Sequence, residues 1–192
     1  MILKPLIDSV DFSLMQYLNK RLIMPPQKKQ YLENLTKGAE GERHWEGWLN
    51  QLSNESIILY DLTLEYKHTI FQIDALCIFQ KTIIAFEVKN YEGDFYINGD
   101  IWSSASGSEI KNPLLQVQRS ESLLRPLLKT LNIQLPIEYY LVFVHPDFML
   151  YQAPPHKKMI FPQQINRYIR HLNNIPSKMS RAHRDIAEHF IY

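Results

Sequence analysis

The stretch that most constrains the fold is residues 72–89, where two mostly apolar runs carry acidic residues at positions that buried strands normally keep hydrophobic. If residues 80–81 form the centre of a two-residue hairpin turn, Asp74 lies opposite Glu87. Two carboxylates about 5 Å apart repel each other by about 3 kcal/mol at an effective dielectric constant of roughly 20. A shared proton, a nearby cation such as Lys89 or a bound divalent metal ion must offset that repulsion.

Strict alternation of side chains predicts that the charged residues of this hairpin share one face of the sheet. That face carries Gln72, Asp74, Leu76, Ile78, Ile83, Ala85, Glu87 and Lys89. The opposite face is almost wholly apolar, so both faces need a covering layer. The hairpin is therefore expected at the centre of a sheet, and the acidic pair is not expected on an open surface.

Length and composition predict one globular unit with terminal extensions, because 192 residues with 45% hydrophobic side chains can bury a substantial core. The single cysteine, Cys77, falls on the apolar face of the hairpin, which predicts a buried thiol and no disulfide framework. No apolar run reaches the roughly 20 residues that span a bilayer, and the first residues lack a secretion signal. We therefore expect a soluble, cytoplasmic protein without membrane contact.

Three regions are predicted along the chain: an N-terminal helical arm at 1–36, a core at 37–150, and a basic helical extension at 151–192 that packs on the core. The formal net charge is +1, but the extension holds seven Lys or Arg against two Asp or Glu. Such a segment can bind phosphate backbones, and it equally fits a solvated helical surface. Both interpretations remain open from the sequence, which predicts no oligomeric state.

Apolar periodicity and turn residues predict the order of the elements. They are a short helix at 12–23, a break at Pro25-Pro26, a helix through Trp45, a strand at 57–66, the charged hairpin, a second hairpin at 93–102 turning at Asn98-Gly99, a helix from Asn112-Pro113 that kinks or locally breaks at Pro126, a buried strand at 137–144, a brief strand at 159–161 and helices at 163–172 and 181–190. Three successive strands form an antiparallel meander, and the strand after the helix pairs in parallel.

Two further polar residues are expected to lie over the hairpin. The apolar stripe that begins at Trp45 projects back one turn to Glu42, and the stripe through Leu123 and Leu127 projects back to Gln116. Each would stand near a helix start on the side that faces the sheet. An acid in a first turn is favoured by the helix dipole, although Glu is rarely buried without a partner.

The polar residues expected to meet at the sheet are Glu42, Gln72, Asp74, Glu87, Lys89 and Gln116. Mg²⁺ prefers a few carboxylate oxygens plus water, and Asp74 and Glu87 side by side supply such oxygens. The backbone carbonyl of Val88 could add a ligand. Lys89 could orient a water molecule or offset charge in a transition state. The same acids could instead form a structural pair bridged by Lys89.

Four short motifs, in this order, resemble the nuclease-related domain (NERD) family. They are Gly38-Ala-Glu-Gly-Glu42, Gln72-Ile-Asp74, Glu87-Val-Lys-Asn-Tyr-Glu-Gly93 and Asn112-Pro-Leu-Leu-Gln116. That family is similar to the PD-(D/E)XK phosphodiesterase superfamily, whose core is a helix, a three-strand meander, a helix and a further strand. The resemblance covers about residues 37–145, and Ile73 stands where the family usually has proline.

The resemblance implies an α/β fold with a restriction-endonuclease-like core: a mixed central sheet, made of the antiparallel meander plus a further strand, flanked by helices. It implies Glu42 as the helix acid, Asp74 and Glu87 as metal ligands with the Val88 carbonyl, and Lys89 as the catalytic lysine. Gln116 would be an auxiliary polar residue.

Candidate contacts to substrate are Gln72, Asn112 and Arg119. The expected function is a nuclease that hydrolyses DNA with Mg²⁺ or Mn²⁺, with the basic extension assisting contact to the DNA backbone. The alternative is a catalytically silent module of the same fold that binds nucleic acid or another protein. In that case, binding to DNA would weaken steeply with salt and be indifferent to metal.

Overall fold

A six-stranded mixed sheet forms the centre of the computed structural model, which describes residues 1–155 and 158–191. The strands of the described residues are β1 (Ile2–Lys4), β2 (Ile57–Tyr66), β3 (Thr69–Ile78), β4 (Ile83–Lys89), β5 (Gly93–Asn98), β6 (Ile101–Ser104), β7 (Glu109–Ile110), β8 (Ile137–Phe143), β9 (Phe148–Tyr151) and β10 (Met159–Ile160). The helices are α1 (Val10–Asn19), α2 (Pro26–Leu49), α3 (Pro113–Thr130), α4 (Pro162–Asn173) and α5 (Arg181–Glu188).

The central sheet has the strand order β1-β2-β3-β4-β8-β10. Strands β2, β3 and β4 form the predicted antiparallel meander, and β8 joins β4 in parallel after the crossover through α3. Strands β1 and β10 add parallel pairs at the two edges. The predicted fold class, a mixed sheet with a meander and a further strand flanked by helices, is confirmed.

Helices cover both faces of this sheet, as the apolar character of the hairpin predicts. On one face, Val117 and Leu124 of α3 and Ala187 of α5 pack against the sheet. On the other face, Trp45 of α2 and Ile165 of α4 pack against it. The single cysteine, in β3, is fully buried, as predicted.

A second sheet of four strands, ordered β7-β6-β5-β9, stands beside the central one. Its first hairpin is predicted, but the turn lies one residue later than expected, because Asn98 pairs with Ile101 and leaves Gly99 and Asp100 at the centre. Gly99 has a φ of +63°, which suits the first central position of a tight hairpin turn. Strand β9, which pairs in parallel with β5, is not predicted from the sequence.

The N-terminal region differs from the predicted helical arm. It begins with β1, which joins the central sheet, and α2 runs without a break across the predicted boundary between residues 36 and 37. Helix α2 begins at Pro26, a residue that suits the first helical turn. Glu42 therefore lies in the interior of a 24-residue helix, and the expectation that it stands in a first turn is wrong.

Helix α3 begins as predicted, with Asn112 at the N-cap accepting a hydrogen bond from the Leu114 N–H at 3.0 Å. It continues through Pro126 to Thr130, so of the two predicted alternatives at this proline, a kink or a local break, the break does not occur. Leu124 and Leu128, on either side of the proline, are almost fully buried, and their packing offsets the missing backbone hydrogen bond. Among the described residues, no helix is both long and apolar enough to cross a membrane.

Candidate functional site

The β3–β4 hairpin has the predicted register at its turn end. The paired residues run from Ile78–Ile83 to Ala75–Phe86, and the Phe79 N–H donates to the Thr82 carbonyl at 2.9 Å. The ladder ends at Ala75–Phe86, so the predicted pair Asp74–Glu87 is not part of it. Beyond this point, a side chain replaces the backbone acceptor of the ladder: Asp74 Oδ2 accepts a hydrogen bond from the Val88 N–H at 2.6 Å.

The alternation of side chains shifts by one residue at Asp74. Phe71 and Ile73 before it, and Leu76 and Ile78 after it, all belong to the core on the α3 face. Ala75 and Cys77 belong to the core on the α2 face. The prediction that Asp74, Leu76 and Ile78 share one face is therefore wrong, because strict alternation fails at the aspartate.

Strand β2 makes the same shift at Asp61, a residue that was not predicted as part of the site. Ile57 and Leu59 pack on the α3 face and so do Leu62 and Leu64, whereas Ile58 and Tyr60 pack on the α2 face. The register between β2 and β3 stays constant, because Tyr60 pairs with Ala75 and Leu62 with Ile73. Asp61 and Asp74 therefore stand opposite each other. The sequence does contain a signal for this shift: Asp61 stands inside a mostly apolar strand, and the positions of the core-facing residues change from odd to even numbers at it.

On the α3 side of the site, Glu87 is buried, with 1% of its surface exposed. Lys89 Nζ donates to Glu87 Oε1 at 2.7 Å and to Gln116 Oε1 at 3.1 Å. The other carboxylate oxygen, Glu87 Oε2, is buried and has no hydrogen-bond partner. Lys89 therefore joins the buried acid of β4 to the polar residue predicted on α3.

On the α2 side, a cavity of about 280 Å³ holds Glu42, Asp61, Gln72 and Asp74. The N-terminal region closes its outer wall with Leu6, Ile7, Asp8, Ser9 and Phe12. Arg43, beside Glu42 on α2, forms an ion pair with Asp8 and so ties this wall to the helix. The structure thus brings the predicted acids of α2 and β3 into one cavity, with a wall that the sequence did not predict.

The surroundings of the acids shift them toward the protonated state. Burial, and after it the charge of Glu87, raises the pKa of Asp74 to about 7, against the opposing hydrogen bond from the Val88 N–H. Burial, followed by the charges of Asp74 and Asp61, raises the pKa of Glu42 to about 7. Burial also raises the pKa of Glu87, although Lys89 opposes that effect. If all three acids ionise, their negative charge therefore exceeds the single positive charge of Lys89.

Glycine sets how closely α2 approaches the end of β4. A Cβ atom at Gly41 would lie 2.6 Å from Cβ of Asn90, the residue after Lys89. The Asn90 side chain in turn donates to the Lys37 carbonyl of α2 at 2.8 Å. This contact fixes the helix turn that carries Glu42 beside the hairpin end that carries Lys89.

The family model of the nuclease-related domain matches residues 37–144, which is more than half of the chain. The chain belongs to the nuclease-related domain family. Comparisons with curated proteins and with solved structures find no match. The predicted membership, and nearly the predicted extent, are therefore confirmed by the matched segment, which contains the acids, Lys89 and Gln116.

The donor set of this nuclease-related domain suits a small divalent cation. Between residues 1 and 155 and between 158 and 191, no group of three or more His, Cys, Asp or Glu side chains could hold a metal ion. Mg²⁺ commonly binds through one or two carboxylates and keeps several waters. The unpartnered Glu87 Oε2 and the carboxylate of Asp74 fit that pattern, so these residues are compatible with Mg²⁺ or Mn²⁺.

The predicted substrate contacts lie in three different environments. Gln72 and Arg119 are exposed, and Gln72 lines the acidic cavity. Asn112 is only 9% exposed. Its amide group caps α3 and donates to the Asp100 carbonyl at 3.3 Å, which is a structural role in this nuclease-related domain. Contact of these residues with a substrate stays a prediction.

The basic extension packs at the opposite end of the hairpin from the acids. His183 of α5 contacts the Gln80 carbonyl at 3.0 Å, and the Gln80 side chain accepts a hydrogen bond from the Lys178 N–H. Gln80 belongs to the turn between β3 and β4, whereas Asp74 and Glu87 lie beyond the other end of the ladder. A role of this extension in DNA contact stays a prediction.

Proposed function

We propose that this protein is a divalent-metal-dependent nuclease that hydrolyses phosphodiester bonds of DNA. The observation that supports it most is Glu87 Oε2, a buried carboxylate oxygen without a partner, at the point where β3 and β4 separate. A buried acceptor that forms no hydrogen bond costs about 1–3 kcal/mol, so a ligand that satisfies it is expected. Membership in the nuclease-related domain family agrees with this proposal.

Asp74 and Glu87 would hold the metal ion, with the Val88 carbonyl adjacent in the chain. When bound, Mg²⁺ or Mn²⁺ supplies Lewis-acid stabilisation of a phosphoryl oxygen and favours deprotonation of water. The hydrogen bond from Val88 fixes Oδ2 of Asp74, and Lys89 fixes Oε1 of Glu87. Each acid therefore has one anchored oxygen and keeps the other for a ligand.

Lys89 would stabilise negative charge that develops on the phosphate. Its Nζ is held by Glu87 and Gln116 and is 20% exposed as a side chain, so it remains reachable from solvent. A pre-oriented donor of this kind acts without reorganising during the reaction. Glu42, which lines the cavity with Asp74, would accept a proton from an attacking water molecule.

The test is cleavage of plasmid and linear DNA by the purified protein with Mg²⁺, Mn²⁺ or EDTA. Glu87→Gln removes the charge of the buried acid, and Glu92→Gln is its matched control because Glu92 is exposed and forms an ion pair with Lys37. We expect the wild type and Glu92→Gln to cut DNA with Mn²⁺ and Glu87→Gln to be inactive. Cleavage that survives EDTA or Glu87→Gln would refute the metal mechanism.

Two other results would revise the assignment. Cleavage of a matched RNA but not of DNA would overturn the substrate. Salt-sensitive DNA binding that is indifferent to metal, without any cleavage, would overturn the activity and support a silent binding module.

A further inference from the structure

Asp61 occupies a backbone conformation that strands normally exclude. Its φ is +48°, although Tyr60 before it and Leu62 after it both pair with β3. A left-handed conformation at a non-glycine residue costs on the order of 1–3 kcal/mol, and such outliers cluster at functional sites. The surrounding structure must therefore hold Asp61 in place.

Lys4 supplies part of that support. Its Nζ donates to the Tyr60 carbonyl at 2.8 Å and also to the Asp61 carbonyl. Because both carbonyls of the irregular segment have a partner, the distortion of β2 leaves no unsatisfied backbone acceptor at these two residues. The N-terminal strand β1 thus stabilises the irregularity on which Asp61 stands.

The side chain of Asp61 lines the same cavity as Glu42 and Asp74. Asp8 is the fourth acid of the cavity and is already paired with Arg43. No Lys, Arg or His is among the described residues that line this cavity. Three acids therefore face one space that lacks its own cation, and the buried, unpartnered Oε2 of Glu87 lies on the next strand.

We propose that Asp61 is a positioning residue of the cation site, acting through water that surrounds a divalent cation held by Asp74 and Glu87. Mg²⁺ and Mn²⁺ sites keep several waters, and a carboxylate outside the ligand set orients such waters and adds negative charge. Direct coordination by Asp61 is not required. This inference rests on the proposed function, because it assumes that the cation binds.

The experiment measures Mn²⁺ affinity by calorimetry and the melting temperature without metal. Asp61→Asn removes the charge and keeps a side chain that tolerates a positive φ. Asp61→Gly removes the charge and the strain together. Asp147→Asn, in an exposed loop outside the cavity, is the matched control.

We expect both Asp61 variants to bind Mn²⁺ about tenfold more weakly than the wild type. Asp61→Gly should also raise the melting temperature of the metal-free protein, because the strain disappears. Wild-type affinity in both variants would overturn the role of Asp61 and leave the nuclease proposal intact. If the wild type itself binds no Mn²⁺, the nuclease proposal and this inference both fail.

Discussion

The two ends of the β3–β4 hairpin differ in the polarity of their side chains and in their backbone pairing. At the turn end, the residues of the four ladder pairs from Ala75–Phe86 to Ile78–Ile83 are apolar and at most 3% exposed. At the open end, the ladder stops and the charged residues Asp74, Glu87 and Lys89 follow. One end contributes packing and backbone hydrogen bonds, whereas the other places charges in a partly buried space at a cost in stability.

This contrast separates residues that stabilise the fold, at the turn end, from residues that would bind the cation, at the open end. Because the cost of the open end is electrostatic, a bound cation would remove most of it. Changes at the turn end should therefore reduce stability without altering the site. Changes at the open end should alter metal binding and cleavage and leave stability equal or higher in the absence of metal, except where the lysine that balances Glu87 is lost.

The largest expected effect is at Lys89. The substitution Lys89→Met removes the donor to the phosphate, and the cleavage rate should fall by about 100- to 1,000-fold. Mn²⁺ affinity should be retained, because the competing cation beside Glu87 is gone. Initial cleavage rates and calorimetry measure the two quantities.

Lys37→Met is the matched control, because Lys37 is exposed and forms an ion pair with Glu92. Its cleavage rate should equal that of the wild type. Equal rates for Lys89→Met and the wild type would remove Lys89 from the mechanism.

At the turn end, Ile84→Ala should destabilise the protein by about 3 kcal/mol, since Ile84 is 3% exposed and its truncation leaves a cavity. Chemical denaturation measures this loss. The Mn²⁺ affinity of the folded variant should match that of the wild type. Loss of metal binding at a temperature where Ile84→Ala is folded would contradict the separation of the two ends.

Asp74→Asn should stabilise the metal-free protein at pH 8, and by less at pH 5. Burial and Glu87 raise the pKa of Asp74 to about 7, so folding favours the protonated acid. The stability that Asp74 contributes is present below about pH 4 and is lost as the pH rises through about 7. The variant lacks this loss, because its amide does not ionise.

Melting curves at pH 5 and pH 8, with and without Mn²⁺, test this prediction. The difference between variant and wild type should grow with pH in the absence of metal. Mn²⁺ should raise the melting temperature of the wild type and not that of Asp74→Asn. A melting temperature of the variant below that of the wild type at pH 8 would show that Asp74 is a structural residue.

Local sequence rules predict the regular part of this molecule well. The strand at 57–66 has the predicted bounds, and the register near residues 80–81 follows from a two-residue turn. The start of α3 at Pro113 follows from the capping residue Asn112. These features depend on neighbours in the chain, and pattern and propensity describe such neighbours.

The irregular part depends on contacts that are distant in sequence. The shift of alternation at Asp61 and Asp74 needs both strands together, and the left-handed backbone of Asp61 needs Lys4, 57 residues away. The close approach of Gly41 in α2 to Asn90 also joins residues that are distant in sequence. The motifs and the family resemblance predicted Glu42 and Asp74 as site residues. No local sequence pattern predicted the left-handed backbone of Asp61, the third acid of the cavity.

The smallest expected effect separates two glycines of α2 that local propensity treats alike. Gly41→Ala places a Cβ atom 2.6 Å from Asn90 Cβ, so the helix must move from the hairpin at a cost of about 1–2 kcal/mol. Gly47→Ala meets no atom within 4 Å and should gain up to about 1 kcal/mol of helix propensity. Denaturation midpoints and Mn²⁺ titrations measure both variants.

Only Gly41→Ala should weaken Mn²⁺ binding, because only Gly41 sets the distance between the turn that carries Glu42 and the open end of the hairpin. If Gly47→Ala weakens binding equally, the effect comes from the helix as a whole and not from the contact with Asn90. If Gly41→Ala loses stability but keeps its affinity for Mn²⁺, the position of Glu42 does not influence the cation. The second result would confine the cation site to β3 and β4, whereas the expected one extends it to α2.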